Sequence, residues 1–225
     1  MAQVPRSSRW THRLRGLYAV TPDLDDTTLL VAKVDAAIVG GAQAIQYRNK
    51  TASDAQRRKQ AAVLSRVCDG RGAIFIVNDD ADLAREVGAA GVHIGREDGS
   101  VAAVRARGGD AMLIGVSCYD DLERATCLVA EGADYVAFGS FYPSTTKPDA
   151  RRAGLALLKR ARTLGVPVVA IGGITAANAR EVIGAGADVL AVSADVFAHE
   201  HPADVTRAAA AIAACFDPNS SIAKK

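Results

Sequence analysis

At 225 residues the chain is long enough for one domain, and a chain of this length buries roughly 70% of its extended surface on folding, so its core needs no disulfide or metal staple. With 49% hydrophobic and 23% charged residues and a net charge of +2, disorder is excluded as the main state. Twenty-seven basic against 25 acidic side chains leave little long-range field, which argues against nucleic-acid recognition through a basic patch.

The chain opens on MAQVPRSSRWTHRLRG, which holds four arginines with no apolar stretch behind them, so it does not read as a secretory signal. Residues 1–13 are expected to be flexible. Strand-like apolar runs follow at Leu17–Val20, Ala44–Tyr47, Ala73–Val77, Gly91–His93, Met112–Val116, Tyr135–Phe138, Val168–Ile171 and Val189–Val192. Several are continuous and bounded by turn residues, as strands buried on both faces of a parallel sheet are. Between them, Ser53–Cys68 and Asp121–Glu131 carry the apolar spacing of helices. Thr175 reads as the N-cap of a helix over AANAREVIGAG that Gly184 or Gly186 closes. The polar stretch 217–225 is expected to be a frayed tail. No apolar run reaches the roughly 18 residues of a membrane span.

Eight strands alternating with helices predict the α/β class: a single-domain (β/α)8 TIM barrel over residues 14–216. An open doubly wound sheet would place a glycine-rich nucleotide loop after its first strand, where this chain has Thr21-Pro22-Asp23. The phrases Gly88-Ala89-Ala90-Gly91, Gly132-Ala133-Asp134 and Gly186-Ala187-Asp188 recur before strands and read as tight helix-to-strand turns without chemistry. Cysteines at 68, 118, 127 and 215 form no CxxC and no zinc-ligand spacing with histidine, which predicts free thiols in a reducing cytoplasm.

In such a barrel, function sits where strands end and βα loops begin. Those ends carry Gln46-Tyr47-Arg48-Asn49-Lys50, Asn78-Asp79-Asp80, Gly95-Arg96-Glu97-Asp98, Ser117, Ser144-Thr145-Thr146-Lys147, Gly172-Gly173 and Ser193-Ala194. Arg48, Lys50 and Lys147 are cations suited to phosphate oxygens. Asp79 and Asp98, carboxylates on adjacent strands, suit Mg²⁺, which bridges to substrate phosphates. Gly172 and Gly173 allow close backbone approach, and the helix N-terminus near Thr175 adds amides for a second anion. Plainer readings exist: Asn78-Asp79-Asp80 also suits a helix N-cap with acids in the first turn, any one lysine suits a solvated surface, and His93 in an apolar strand suits a hydrogen-bonded core. The coincidence at so many strand ends favours a site.

LYAVTPD, AIQYRNK, FIVNDDADLAREVGAAGVHIGREDG, IGVS, GADYVAFGSFYPSTTKP and VPVVAIGGITAANAREVIGAGADVLAVSADVF follow one another from Leu17 to Phe197. On these strings the chain resembles the thiamine-phosphate synthase family. The resemblance implies a Mg²⁺-dependent transferase of thiamine biosynthesis that joins 4-amino-5-hydroxymethyl-2-methylpyrimidine diphosphate to 4-methyl-5-(2-phosphoethyl)thiazole, releasing diphosphate. It implies that Gln46, Tyr47, Arg48, Asn49, Lys50, Asn78, Ser117 and Lys147 hold the pyrimidine diphosphate, with Arg48, Lys50, Ser117 and Lys147 as its catalytic members. It further implies Asp79 and Asp98 as Mg²⁺ ligands, and Ser144, Thr145, Thr146, Gly173, Ser193 and Ala194 against the thiazole phosphate. The chain departs from the family at Tyr47, Arg96 and Tyr119, where Leu, Gln and His are usual, and at Ser193-Ala194, where a pair such as Ile-Ser is usual. A thiazole tautomerase on the same barrel would have no diphosphate to hold, and a pentose-phosphate epimerase would need a set of metal-binding histidines. A non-catalytic sensor would not need the carboxylate pair. The partners expected are small-molecule phosphates and diphosphates, with no nucleic acid and no membrane; a homo-oligomer is compatible with the sequence.

Overall fold

Each of the eight apolar runs becomes a strand of the computed structural model, which describes residues 8–143 and 152–217. The strands are β1 (Gly16–Val20), β2 (Ala42–Tyr47), β3 (Ile74–Asn78), β4 (Gly91–Ile94), β5 (Leu113–Tyr119), β6 (Tyr135–Phe138), β7 (Val168–Ile171) and β8 (Val189–Val192). Every strand pairs in parallel with the next, and β1 pairs with β8 through Gly16↔Val189 to Ala19↔Val192, which closes the barrel. The eight-stranded α/β barrel expected from the sequence is therefore the fold. β5 runs past its apolar stretch to Tyr119, because the ladder to β6 continues through Ser117↔Ala137 and Tyr119↔Phe138.

Alternation along each strand sorts side chains into two layers. Tyr18, Val20, Ala44, Ile74, Ile76, Leu113, Tyr135, Ala137, Val169, Val189 and Ala191 fill the barrel interior. Leu17, Ile45, Tyr47, Phe75, Val77, Ile114, Val116, Phe138, Val168 and Leu190 face the helices and join a larger outer core. Both faces are covered, which is why the strands read as nearly unbroken apolar runs.

The helices are α1 (Ser8–Thr11), α2 (Thr27–Val39), α3 (Asp54–Arg71), α4 (Ala81–Glu86), α5 (Val101–Gly108), α6 (Leu122–Ala130), α7 (Ala156–Ala161), α8 (Ala179–Gly184), α9 (Ala194–Phe197) and α10 (Pro202–Ala213). Asp26, Ser53, Asp80, Ser100 and Asp121 cap α2 to α6, each accepting from an amide in the first turn. Such a cap stabilises by about 1 kcal/mol. In the segment expected to be flexible, α1 places Trp10 against the inner core, and Arg13 donates to Gly72 O at 2.8 Å. All four cysteines are free; Cys68, Cys118 and Cys215 are buried and Cys127 is exposed.

Thr175 does not cap the helix after β7. That helix, α8, starts at Ala179 with Asn178 at its N-cap. The Asn178 side chain turns back, accepting from Thr175 N at 2.9 Å and donating to Gly173 O at 3.0 Å. The Thr175 amide expected to serve an anion is thus already engaged. The closing turn lies where expected, at Gly184 to Gly186.

Candidate active site

The inward-facing register carries polar side chains as the strands reach the C-terminal end of the barrel. Gln46, Asn78, His93 and Ser117 occupy this position on β2, β3, β4 and β5, as the ladder pairs Asn78↔His93 and His93↔Gly115 require. Gln46 donates to Asn78 Oδ1 at 2.6 Å, and His93 Nε2 lies 2.9 Å from Ser117 Oγ. The strand ends therefore form a continuous polar rim from β2 to β5.

The chain turns outward just beyond that rim. Asp79 leaves β3 in the left-handed region, at φ 64°, where a non-glycine residue costs on the order of 1–3 kcal/mol. The turn separates two roles that the sequence left as alternatives. Asp80 becomes the N-cap of α4, accepting from Leu83 N at 2.9 Å, while Asp79 stays at the rim. There Lys50 Nζ sits 3.4 Å from Asp79 Oδ2. Burial first, then the hydrogen-bonded carboxylate of Asp98, push the Asp79 carboxyl above its ordinary range, while Lys50 pulls it down. Asp98 accepts from Gly95 N at 2.7 Å through Oδ2.

Two carboxylates this close repel when both are ionised, and a hard divalent cation relieves that repulsion. No cluster of three or more His, Cys, Asp or Glu suited to a metal occurs among the described residues. A cation held by Asp79 and Asp98 would thus keep most positions for water and phosphate oxygens, the coordination habit of Mg²⁺.

Arg48 is anchored by a residue that the sequence reading passed over. Its Nη1 donates to Asp23 Oδ1 at 3.0 Å and Oδ2 at 3.2 Å, and Asp23 Oδ1 also accepts from Lys50 N at 2.7 Å. Thr21 Oγ1 bridges β1 to β2, donating to Arg48 O at 3.0 Å and accepting from Arg48 N at 2.9 Å. Asp23 and Thr21 lie in LYAVTPD, so the signal was a carboxylate at the end of β1.

Tyr47 and Asn49 do not turn their side chains to this cluster. Tyr47 alternates to the outer face, where its hydroxyl donates to Gln60 Oε1 at 2.8 Å and burial raises it to about 12. Asn49 donates to the same oxygen at 3.1 Å and to Leu24 O at 3.2 Å, and its own oxygen accepts from Thr51 and Ala52. Their side chains shape the β2 loop.

On the other side of the mouth, Gly173 stands at φ +63°, packed against Tyr142 and Pro143. Ser193 is half-buried after β8, and Ala194 is exposed. Ser144, Thr145, Thr146 and Lys147 lie outside the described residues. His93 is a hydrogen-bonded core histidine: Nδ1 lies 3.1 Å from Tyr135 Oη, the rings stack at 5.6 Å, and burial lowers the imidazole to about 4 despite the opposing charge of Asp98.

Residues 17–196 match the profile of the thiamine monophosphate synthase family. The chain belongs to that family. Thiamine-phosphate synthase from Chromobacterium violaceum is 51% identical over 198 residues, covering 88% of this chain and 96% of that protein. The Thiobacillus denitrificans thiamine-phosphate synthase is 54% identical over 196 residues, covering 87% and 92%. Among solved structures, the thiamine phosphate pyrophosphorylase from Pyrococcus furiosus matches with a TM-score of 0.80 at 35% identity, covering 92% of this chain and 96% of that one. In this chain Arg96, just beyond the end of β4, meets Tyr119, the last residue of β5. The Arg96 guanidinium carbon lies 5.3 Å from the Tyr119 ring centroid, a cation–π contact.

Proposed function

We propose that this chain is a thiamine-phosphate synthase, a transferase of thiamine biosynthesis, and that it joins 4-amino-5-hydroxymethyl-2-methylpyrimidine diphosphate to 4-methyl-5-(2-phosphoethyl)thiazole. The observation that carries this reading is the Lys50–Asp79–Asp98 cluster beside Arg48 and the Gln46–Asn78 pair. A diphosphate leaving group needs such a mixture of cations and metal-binding carboxylates; a barrel that binds a single phosphate does not.

The reaction breaks the C–O bond between the pyrimidine methylene and the diphosphate, and the electron pair leaves with the diphosphate oxygen. The thiazole nitrogen lone pair then forms the new C–N bond and leaves the ring as a thiazolium. No proton need leave the thiazole nitrogen and no covalent enzyme nucleophile is required, which agrees with three buried thiols and a fourth, Cys127, that lies on α6 and not at a strand end. The chain's task is to place two substrates and stabilise charge on the departing diphosphate.

Arg48 and Lys50 would face the diphosphate, with Asp23 fixing the Arg48 guanidinium and the Lys50 amide. Gln46 and Asn78 would orient the pyrimidine end, and Ser117 would join the cations at the diphosphate. Asp79 and Asp98 would hold Mg²⁺, which supplies positive charge against the diphosphate oxygens when bound. Gly173, Ser193 and Ala194 would border the thiazole phosphate, and Ser144, Thr145, Thr146 and Lys147 complete the assignment. The substrates are small molecules.

The test is direct. The purified chain, both substrates and Mg²⁺ should yield thiamine phosphate and diphosphate, and omission of either substrate should abolish the product. Asp98→Asn should lower turnover at limiting Mg²⁺ by at least about 10²-fold, the size of losing a preorganised charge contact. Wild-type turnover by Asp98→Asn under that condition would remove the metal assignment. No product from the wild-type chain would remove the function.

A further inference from the structure

Beneath the rim, four side chains form one hydrogen-bonded file through the barrel interior. Tyr18 Oη lies 3.1 Å from Tyr135 Oη, Tyr135 Oη lies 3.1 Å from His93 Nδ1, and His93 Nε2 lies 2.9 Å from Ser117 Oγ. The file joins β1, β6, β4 and β5, and only Ser117 reaches the mouth. Tyr18 and Tyr135 are 1% and 0% exposed, wedged among Ile74, Ile76, Leu113 and Val189. Gly115 leaves room for it, since a Cβ there would overlap the Tyr135 ring.

Counting protons decides which way the file points. Three links need three donated protons. Each hydroxyl brings one, and a neutral imidazole brings one N–H and one acceptor nitrogen. His93 is neutral near pH 7, because burial disfavours its charged form. Three arrangements satisfy every link. In one, Tyr18 and Nδ1–H both donate to Tyr135, whose own buried proton is then left without an acceptor among the described residues. In the inward one, Ser117 donates to Nε2, Nδ1–H donates to Tyr135, and Tyr135 donates to Tyr18. The Tyr18 proton is then left over, yet among the described residues Tyr18 Oη bonds only to Tyr135. A buried hydroxyl proton without an acceptor is expensive. In the outward arrangement, Tyr18 donates to Tyr135, Tyr135 donates to Nδ1, and Nε2–H donates to Ser117. The proton left over is then that of half-buried Ser117, at the mouth.

We infer that the dead end at Tyr18 polarises this file outward, holds His93 as the Nε2–H tautomer, and so makes Ser117 a hydrogen-bond donor to an anionic ligand in the mouth. Tyr18, Tyr135 and His93 are positioning residues that act through Ser117. The identity of the anion, the departing diphosphate, rests on the proposed function; the polarity of the file does not.

Two measurements test this. In a long-range ¹H–¹⁵N correlation spectrum of the uniformly labelled wild-type chain at pH 7.5, His93 should carry its proton on Nε2. A proton on Nδ1 overturns the inference, whatever the chain catalyses. In the thiamine-phosphate assay, Tyr135→Phe should lower kcat about 10-fold, or about 1.4 kcal/mol, with KM for either substrate changed less than about 2-fold. In a Ser117→Ala background the same substitution should cost less than about 2-fold. An equal loss in both backgrounds means that Tyr135 does not act through Ser117 and overturns the inference. Wild-type chain that makes no thiamine phosphate yet shows the Nε2–H tautomer defeats the proposed function and leaves the file standing.

Discussion

Replacing Gly173 by alanine separates a clash with a ligand from a clash with the protein. On sequence alone, a side chain at Gly173 would be expected to meet the thiazole phosphate. In the structure, an added Cβ meets the protein first: Tyr142 C and Tyr142 Cβ at 2.8 Å, and the Pro143 carbonyl oxygen closer still. Ordinary contact begins near 3.4 Å, so the 142–143 backbone must retreat by roughly half an ångström or more. That segment is tied on three sides. Tyr142 N donates to Gly172 O at 3.0 Å, Ser140 Oγ donates to Tyr142 O at 2.9 Å, and Tyr142 Oη donates to Glu181 at 2.8 Å. It also leads directly into Ser144–Lys147, the residues assigned to both substrates.

The backbone adds its own cost, because φ +63° at Gly173 is left-handed and costs an L residue about 1–2 kcal/mol. Gly165 isolates that part: its φ is +71°, and nothing lies within 4 Å of its added Cβ. Both Ala variants should therefore lose about 1–2 kcal/mol in urea unfolding, with Gly173→Ala the worse by its steric excess. Only Gly173→Ala should lose activity. A misplacement of about 1 Å costs on the order of 10²-fold, so its kcat/KM should fall about 10- to 100-fold for both substrates. Wild-type kcat/KM in Gly173→Ala, or a loss confined to the KM for thiazole phosphate, would refute this reasoning and restore the direct ligand contact.

Two further outcomes follow from buried groups. His93 falls from 6.5 unfolded to about 4 folded, so below pH 6.5 the unfolded chain gains a proton that the native chain resists. Stability should thus drop as pH falls from 6.5 toward 4, by roughly 2–3 kcal/mol from this residue. Urea unfolding between pH 7 and pH 4.5 should show a steeper loss for wild type than for His93→Gln; equal slopes would show that His93 is not the group responsible. Tyr47→Phe removes one buried hydrogen bond to Gln60, which should lower stability by about 1 kcal/mol and leave kcat/KM within about 2-fold. A tenfold fall in kcat/KM would return Tyr47 to the active site.

The fold was legible because a parallel barrel buries both strand faces, so each strand announces itself as an apolar run that needs no knowledge of its neighbours. The rim was legible for a related reason. Gln46, Lys50, Asp79 and Ser117 are polar residues at or beyond the ends of such runs, where packing alone gives them no purpose. Harder to read was which way a side chain points once alternation and local turns intervene. Gln46 and Tyr47 are adjacent in one motif, yet period two sends the first into the mouth and the second to Gln60. Thr175 and Asn178 both suit an N-cap, and Asn178 prevails because its amide can take Thr175 N and Gly173 O together. The tyrosine file was not legible at all. Tyr18 and Tyr135 stand 117 residues apart, and within their own strands each looks like ordinary aromatic filling. Their hydroxyls gain meaning only when closure of the barrel brings Tyr18 to Tyr135, which in turn meets His93. The chemical bias of Ser117 thus depends on residues with no polar signature of their own along the chain, which is why a motif identifies Ser117 and the fold is needed to say in which direction it donates.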